Sequence, residues 1–461
     1  MNTFFRSAPE YRHQTSTVAG RKVGADLNLY KLFTERCFDL LRPGGHCGIV
    51  IPSGIYTDLG AKGLRDLLFG QTQIEGLFCF ENRKEIFEGV HRSFKFVVLT
   101  FEKAATTRLQ AAGERNASAP PDDLLAEQAI EAQGGATGTI RFPAAFMRHD
   151  VAELERFPQE GALWLDVDLI NRLSPESGSI MEFKSEMDIT IAHKLLKKPL
   201  LGDDVAGAWK LVLHRELHMT DDAPNFKTKL EPGALPLVEG KMIHQFEFAR
   251  QEFKYWVPEQ KGRQSLLGRA EDDGQRLAYQ RYRLAHRSIA RSTDARTFIA
   301  SMLPPSVFSG HSLNVGFEPQ DVSTQLYLLA VMNSFVLDYY LRQQVSANLT
   351  MFFIYQCPVP RLTPAHDQFA PLVKRAARLV CVSQEFDQLA KDVGLESHRP
   401  GSRESTERAH LRAELDGLVA HLYGLSEAEF AHILKTFPLV AEPVKVAALN
   451  AWRDVEKGLI Q

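Results

Sequence analysis

The amino-acid sequence predicts an α/β domain, then a mixed α+β region, then a helical C-terminal segment. Three features of the 461 residues point there. Residues 26–101 alternate helical and strand-like patterns. From about 140 to 362 the texture changes to short mixed elements with many aromatics and turn residues, and 365–461 read as largely helical. The length suggests about three domains. The expected divisions are 1–103, 141–362 and 363–461, with 104–140 as a flexible linker or insertion.

Taken in order, Leu29, Leu32, Phe33, Cys37, Leu40 and Leu41 recur at helical spacing, the stripe of a core helix. Pro43-Gly44-Gly45 stops that helix, because proline cannot continue it and glycine accepts the turn conformation. HCGIVIP is too short and too β-branched for a helix and reads as a buried strand. A second helix covers roughly 60–69, with strands at 74–80 and 94–101. Helix–strand–helix–strand–strand is the closing half of a Rossmann-like domain, whose opening half is missing from this pattern. Residues 104–140 are rich in Ala, Gly, Ser, Pro and Gln, consistent with a solvated linker or a mobile loop approaching DNA. ERAHLRAELDGLVAHLY is the clearest amphipathic helix of the tail, with Leu411, Leu415, Leu418, Val419 and Leu422 as a packing stripe.

The net charge of −3 excludes a uniformly basic nucleic-acid coat, so any DNA contact must come from a local patch. Five scattered cysteines with no CxxC pair fit a reducing compartment rather than a disulfide framework or a structural zinc site. No apolar run approaches the roughly 18 residues of a membrane span, and the N-terminus lacks a signal-peptide apolar segment. The expectation is a soluble cytoplasmic protein.

Signatures of dinucleotide, P-loop, zincin, hydrolase-elbow and EF-hand chemistry are absent from the sequence. His214, His218 and His244 lie near acidic residues, but without a third ligand at a recognisable spacing they read as satisfied or exposed histidines, so no metal site is expected. Asp166, Asp168 and Glu182-Phe183-Lys184 form the acidic-x-Lys arrangement in which carboxylates hold Mg²⁺ and a lysine stabilises hydroxide. The same residues also suit ordinary surface ion pairs, and nuclease chemistry stays a remote alternative.

Between Arg276 and Arg296 lie six arginines (Arg276, Arg281, Arg283, Arg287, Arg291 and Arg296) against one acid, Asp294, with Tyr279 and Tyr282 interleaved. Arginine neutralises phosphates and reads guanine edges. Arg281, Arg283, Arg287, Arg291 and Arg296 are the candidate DNA contacts, with Lys241 and Lys210 as weaker ones. The alternative is a solvated helix face.

Residues 26–101 resemble the amino-methylating DNA adenine methyltransferases in which the recognition domain follows the catalytic one. The resemblance rests on Asn28-Leu29-Tyr30 with Phe33, on Leu40-Leu41-Arg42-Pro43-Gly44-Gly45 and on Ile49-Val50-Ile51-Pro52. It continues through Leu64-Arg65, Glu85-Ile86-Phe87 and Phe94 to Leu99. Later segments are similar to the large restriction–modification and phage-defence methylases of that group. They include Leu213 to Asp221, Pro236 to Ile243, Tyr282 to Thr297, Met332-Asn333-Ser334, Pro358-Val359-Pro360 and Leu422 to Leu425. The resemblance implies the C-terminal half of a class I methyltransferase sheet, followed by a DNA target-recognition domain. It also implies S-adenosylmethionine as methyl donor, adenine N6 as acceptor and double-stranded DNA as partner.

Two motifs of that group are absent. No Gly-rich strand turn that would cradle the donor precedes residue 26, and no Asn/Asp-Pro-Pro-Tyr/Phe tetrapeptide, which holds the target amine, occurs anywhere. No catalytic set is therefore complete in this sequence. The expectation is the C-terminal part of a larger methyltransferase, or one half of a split one, inactive alone and paired with a chain carrying the missing motifs. A non-catalytic specificity subunit is the alternative. By the same resemblance, Asn28, Tyr30 and Phe33 would line the donor and base pocket, and Phe87 would stack on the flipped-out target base. Core packing remains the other reading of Tyr30, Phe33 and Phe87.

Overall fold

Helix α1 (Leu29–Leu40) ends where expected: Leu41 is extended, Gly44 takes φ +74°, and Lys103 donates 2.9 Å hydrogen bonds to the Phe38 and Leu41 carbonyls, which the helix itself leaves open. In a computed structural model, residues 11–18, 21–23, 27–104, 138–248, 251–291, 294–316, 321–343 and 349–460 are described. The expected linker therefore lies almost wholly outside the described residues. The chain divides into two compact units, Met1–Thr190 and Ile191–Gln461.

The first unit opens with a small hairpin of β1 (Ser16–Val18) and β2 (Arg21–Val23), then α1. Its sheet is built from β3 (His46–Pro52), β4 (Thr72–Glu81), β5 (Lys95–Lys103), β6 (Arg141–Arg148) and β7 (Leu163–Asp166), with α2 (Lys62–Gln71) joining β3 to β4. Spatial order is β3-β5-β4-β6-β7. Strand β5 runs antiparallel to both neighbours, so β3 and β4 are parallel to each other, with β5 inserted between them. Strand β6 runs parallel to β4, and β7 closes the far edge antiparallel to β6. The strands following residue 140, expected in the recognition domain, thus belong to the first sheet. Their apolar residues Phe142, Ala144, Ala145 and Leu165 are fully buried there, and pairing of β6 with β4 and of β7 with β6 satisfies their backbone groups.

Helix α1 follows its sequence pattern only in part: Leu32 is buried and Cys37 and Leu41 are half-buried. Leu29 (71% exposed), Phe33 (58%) and Leu40 (71%) face solvent, whereas Lys31, Thr34, Glu35 and Phe38 are buried. Glu35 is the reason for the polar side. It accepts from Gln14 Nε2 (2.6 Å) and from the His13 backbone N–H (2.9 Å), and pairs with the His13 ring (2.8 Å), tying the N-terminal segment to the helix. Strand β3 has a partner on one side only among the described residues, and Val50 on it is 53% exposed.

The second unit contains a four-stranded antiparallel sheet, ordered β12 (Ala300–Leu303), β11 (Arg283–Arg287), β14 (Leu313–Gly316), β8 (Leu213–His214). A three-stranded sheet is ordered β10 (Tyr255–Pro258), β9 (Ala234–Val238), β13 (Phe308–Ser309). One core cluster joins Val238, Met242, Ile243, Ala285, Leu303, Leu313 and Val315, drawing on both sheets. Helix α3 (Val322–Met332), capped by Asp321 through the Thr324 N–H, is apolar nearly all round and accordingly buried. Ser334 caps α4 (Phe335–Arg342). The tail is helical as expected: α5 (Phe369–Val380), α6 (Ser405–Leu422), α7 (Glu427–Lys435) and α8 (Glu442–Glu456). Leu411, Leu415, Leu418 and Val419 are buried as their spacing predicts. A Cβ on Gly417 would lie 2.8 Å from backbone atoms of Ala451 and Trp452, so α6 and α8 meet there through a glycine. None of the described helices is long and apolar enough to cross a membrane.

Candidate nucleic-acid interface

In open α/β sheets ligands bind beyond the carboxyl ends of the parallel strands. At the end of β3 the chain turns through Ser53, whose N–H donates to the Lys95 carbonyl (3.1 Å), into a short helical turn. Tyr30 of α1 reaches this turn and donates to Asp58 Oδ2 (3.3 Å); burial, with Asp58 second, pushes its phenol pKa up. A Cβ on Gly54 would lie 2.4 Å from Asp58 Oδ2 and 2.6 Å from the Tyr30 hydroxyl. The space at Gly54 is therefore filled by this chain's own side chains. Asn28 occupies the N-cap position of α1, but its exposed side chain makes no capping bond. Phe33 stands out in solvent.

The described residues thus place Asn28, Tyr30 and Asp58 near one strand end. They supply no glycine cradle for the methionine part of S-adenosylmethionine, so these residues alone do not hold that group.

Beyond β4 the chain forms a tied loop. The Asn82 N–H donates to the Phe94 carbonyl (2.9 Å) and closes the loop at its base. The buried Asn82 amide donates to the Phe87 and Val90 carbonyls (3.0 and 2.9 Å) and accepts from the Phe87 N–H (2.9 Å). Glu85 takes the left-handed conformation at φ 51°. Phe87 emerges 44% exposed, edge-on to Phe96 at 4.8 Å between ring centres; Phe96 stacks in turn on Phe80. Phe87 is thus partly exposed and partly packed against Phe96.

On the opposite face of the same strands, Tyr56 donates to Glu182 Oε1 (2.9 Å) and lies 2.8 Å from Cys79 Sγ, while Lys95 donates to Glu182 Oε2 (2.6 Å). Burial raises the pKa of both Tyr56 and Cys79. Glu182 of the acidic-x-Lys pattern is thus committed to a tyrosine and a lysine. Asp166 pairs with Arg141 at 3.6 Å, and Asp168 lies in the first turn of helix Val167–Leu173. Among the described residues, no three His, Cys, Asp or Glu side chains are grouped to hold a metal ion.

In the second unit the arginine-rich segment is not a helix face. Arg283 to Arg287 form the central strand β11, and the pleat sends alternate side chains to opposite sides. Arg283 is 2% exposed; it donates to both Glu216 oxygens (3.0 and 3.2 Å) and to the Val307 carbonyl (2.6 Å). Arg296 is likewise turned inward, to Asp338 (2.7 Å) and the Asn333 carbonyl (2.5 Å), with its guanidinium over the Phe335 ring. Arg287 donates to the Ile243 carbonyl (2.6 Å). Arg281 is half-buried, and its Nε has no hydrogen-bond partner among the described residues.

Arg291 and Lys241 are exposed, Lys241 lying 3.2 Å from Glu239. Ser312 links their neighbourhoods: its hydroxyl accepts from the Gly240 N–H (2.8 Å) and its carbonyl from the Ser288 N–H (2.9 Å). Tyr279 is core, donating to Glu259 (2.8 Å), and Tyr282 packs on Phe386.

Asn82 and Asp58 escaped the sequence reading. An asparagine directly after an apolar strand is a legible turn signal, since its side chain bonds nearby backbone. The Tyr30–Asp58 pairing bridges 28 residues and has no local signal.

Residues 6–87 match the family model described as Eco57I restriction-modification methylase, which shows the resemblance to restriction–modification methylases over that segment. No curated protein matches the chain. Among solved structures, the chain is similar to the Type IIL restriction-modification enzyme MmeI in complex with DNA, at 11% identity over 89% of this chain and 52% of that one, with a TM-score of 0.42. It is also similar to the type IIG restriction endonuclease BpuSI, at 14% identity over 88% and 51%, with a TM-score of 0.31. For the DrdV–DNA complex the values are 8%, 77%, 39% and 0.34. The chain spans about half the length of the first two. All three TM-scores lie too low to define a shared fold.

Proposed function

We propose that the chain is the DNA-reading and base-holding part of an S-adenosylmethionine-dependent DNA adenine N6-methyltransferase of a restriction–modification or phage-defence system, and that it does not methylate alone. The observation that carries this reading is the family match over residues 6–87, lying on a sheet whose antiparallel β5 is inserted between parallel β3 and β4. We read that order as the closing half of a class I methyltransferase sheet. The open side of β3, with exposed Val50 on that strand, and the exposed Leu29, Phe33 and Leu40 of α1 support a missing half that docks on this unit. An unpaired strand edge beside apolar side chains is satisfied by another strand and helix. Phe33 then serves this junction as well as the pocket its resemblance implies. Phe87 would take the face of an extruded adenine, and Arg291 and Lys241 would meet DNA phosphates.

Radiolabelled methyl transfer tests the reading. The isolated chain is expected to transfer nothing, and activity to appear when a polypeptide carrying the Gly-rich turn and the Asn-Pro-Pro-Tyr-type motif is supplied. Turnover by the isolated chain would overturn it. A non-catalytic specificity subunit remains the second reading, favoured by the internal commitment of Tyr30, Asp58 and Gly54 to one another. It requires the partner chain to hold the donor and the reacting amine entirely by itself.

A further inference from the structure

The loop between β4 and β5 carries more than Phe87. Phe94 is also 44% exposed, and Val90 37%. Phe94 immediately precedes β5, and its carbonyl accepts the Asn82 N–H at the base of the loop that carries Phe87. The same loop carries Arg83, Lys84 and Arg92, each more than 60% exposed. Lys84 and Arg92 pair with surface carboxylates, Asp150 at 2.9 Å and Glu85 at 3.0 Å, whereas Arg83 lies 2.6 Å from Glu81, which is buried and shared with His149. The two exposed pairs are weak, so a phosphate competes for Lys84 and Arg92 readily. Within residues 82–94, Arg83, Lys84 and Arg92 stand against Glu85 and Glu88, a small local positive excess in a chain of net charge −3. The loop is also pre-ordered. Asn82 ties Phe87, Val90 and Phe94 through backbone atoms, so little conformational freedom is lost when a ligand lands.

Resting on the reading of this chain as a DNA-holding part, we propose that the Asn82-tied loop is a binding site for unpaired DNA. Phe94 supplies a second nucleobase-stacking face beside Phe87, and Arg92 and Lys84 hold the flanking phosphates. Asn82 is the positioning residue. Aromatic faces and cations together are what an unstacked strand requires, since every base has a π-face and every link a charge.

The test uses the full chain, a fluorescein-labelled deoxyadenosine decamer and a labelled duplex, followed by anisotropy across a salt series. The chain is expected to bind the decamer. Phe94→Leu, which keeps the apolar volume and the fold, weakens it roughly tenfold or more, while Phe94→Tyr retains it. Arg92→Ser lowers the salt slope by about 0.7, one single-strand phosphate contact. Asn82→Ser weakens the decamer with both rings in place and speeds amide exchange at Phe87, whose N–H it accepts. Wild-type affinity in both Phe94→Leu and Arg92→Ser overturns the proposal. So does a chain that binds the duplex and not the decamer, an outcome that leaves the proposed function standing. A chain that binds neither overturns both.

Discussion

Arg283 and Glu216 are each almost wholly removed from water, and the carboxylate is further held by the Ser309 N–H (2.7 Å) and hydroxyl (2.9 Å). Removing one partner strands a buried charge, so Arg283→Ala is expected to cost roughly 3–5 kcal/mol in urea unfolding. A joint Arg283→Met, Glu216→Leu replacement is expected to recover most of that. A loss below 1 kcal/mol for the single change would mean the pair is solvated. His286 and Asp416 give the second unit opposed pH responses. Burial lowers the His286 pKa from 6.5 to about 4, so the unfolded chain binds the extra proton first. Stability from this group is complete above pH 6.5 and drains as pH falls toward 4. Burial raises the Asp416 pKa from 3.8 to about 6, against the pull of Arg296 and Arg412, so its native form holds the proton and stability drains as pH rises through 6. Asp416→Asn still accepts the Phe335 N–H bond that Asp416 Oδ1 receives at 2.8 Å. Its stability relative to wild type is expected to rise by up to roughly 3 kcal/mol between pH 4 and 7, since each pKa unit is worth about 1.4 kcal/mol. A pH-independent difference in urea midpoint would refute this.

Among the elements, α6 and α8 approach one another through Gly417. Adding a methyl there pushes it into the backbone of Ala451 and Trp452, which cannot rotate away. Gly417→Ala is expected to lower stability by about 1–3 kcal/mol, although alanine favours helix, and thermal unfolding would read it. An unchanged midpoint would mean that α8 shifts freely. The helical tail itself was legible, because the period-3.6 apolar pattern coincides with the buried face of α6. Helix α1 was legible as a helix but only in part in its orientation. The same spacing that marks a core stripe marks an exposed one, and what decides is the Glu35 carboxylate, buried where the His13 and Gln14 segment covers it.

At the scale of the whole molecule, the cations of the arginine-rich segment divide into structural and available ones. Arg291→Ser and Lys241→Ser are each expected to lower the slope of log affinity against log salt for duplex DNA by about 0.9, one phosphate contact apiece. The Arg283→Met, Glu216→Leu pair is expected to leave that slope unchanged. Equal slopes for all variants would place the second unit's DNA contacts elsewhere. A partner completing the sheet is expected to bind less well to Val50→Lys, because a charge at the strand edge blocks pairing.

The sequence by itself determined three of the first sheet's five strands, β3, β4 and β5, with helices α1 and α2, the helical tail, the local excess of arginine and the absence of two catalytic motifs. These are properties of spacing and residue type along the chain. Tertiary structure alone decided that β6 and β7 extend the first sheet and that Arg283 and Arg296 face inward to Glu216 and Asp338. It also decided that Asn82 ties a loop carrying two exposed rings. The physical reason is common to all three. A guanidinium serves a phosphate or a buried carboxylate equally well, and an apolar ring serves a core or a base. Which it meets depends on partners tens of residues away, which only folding brings together.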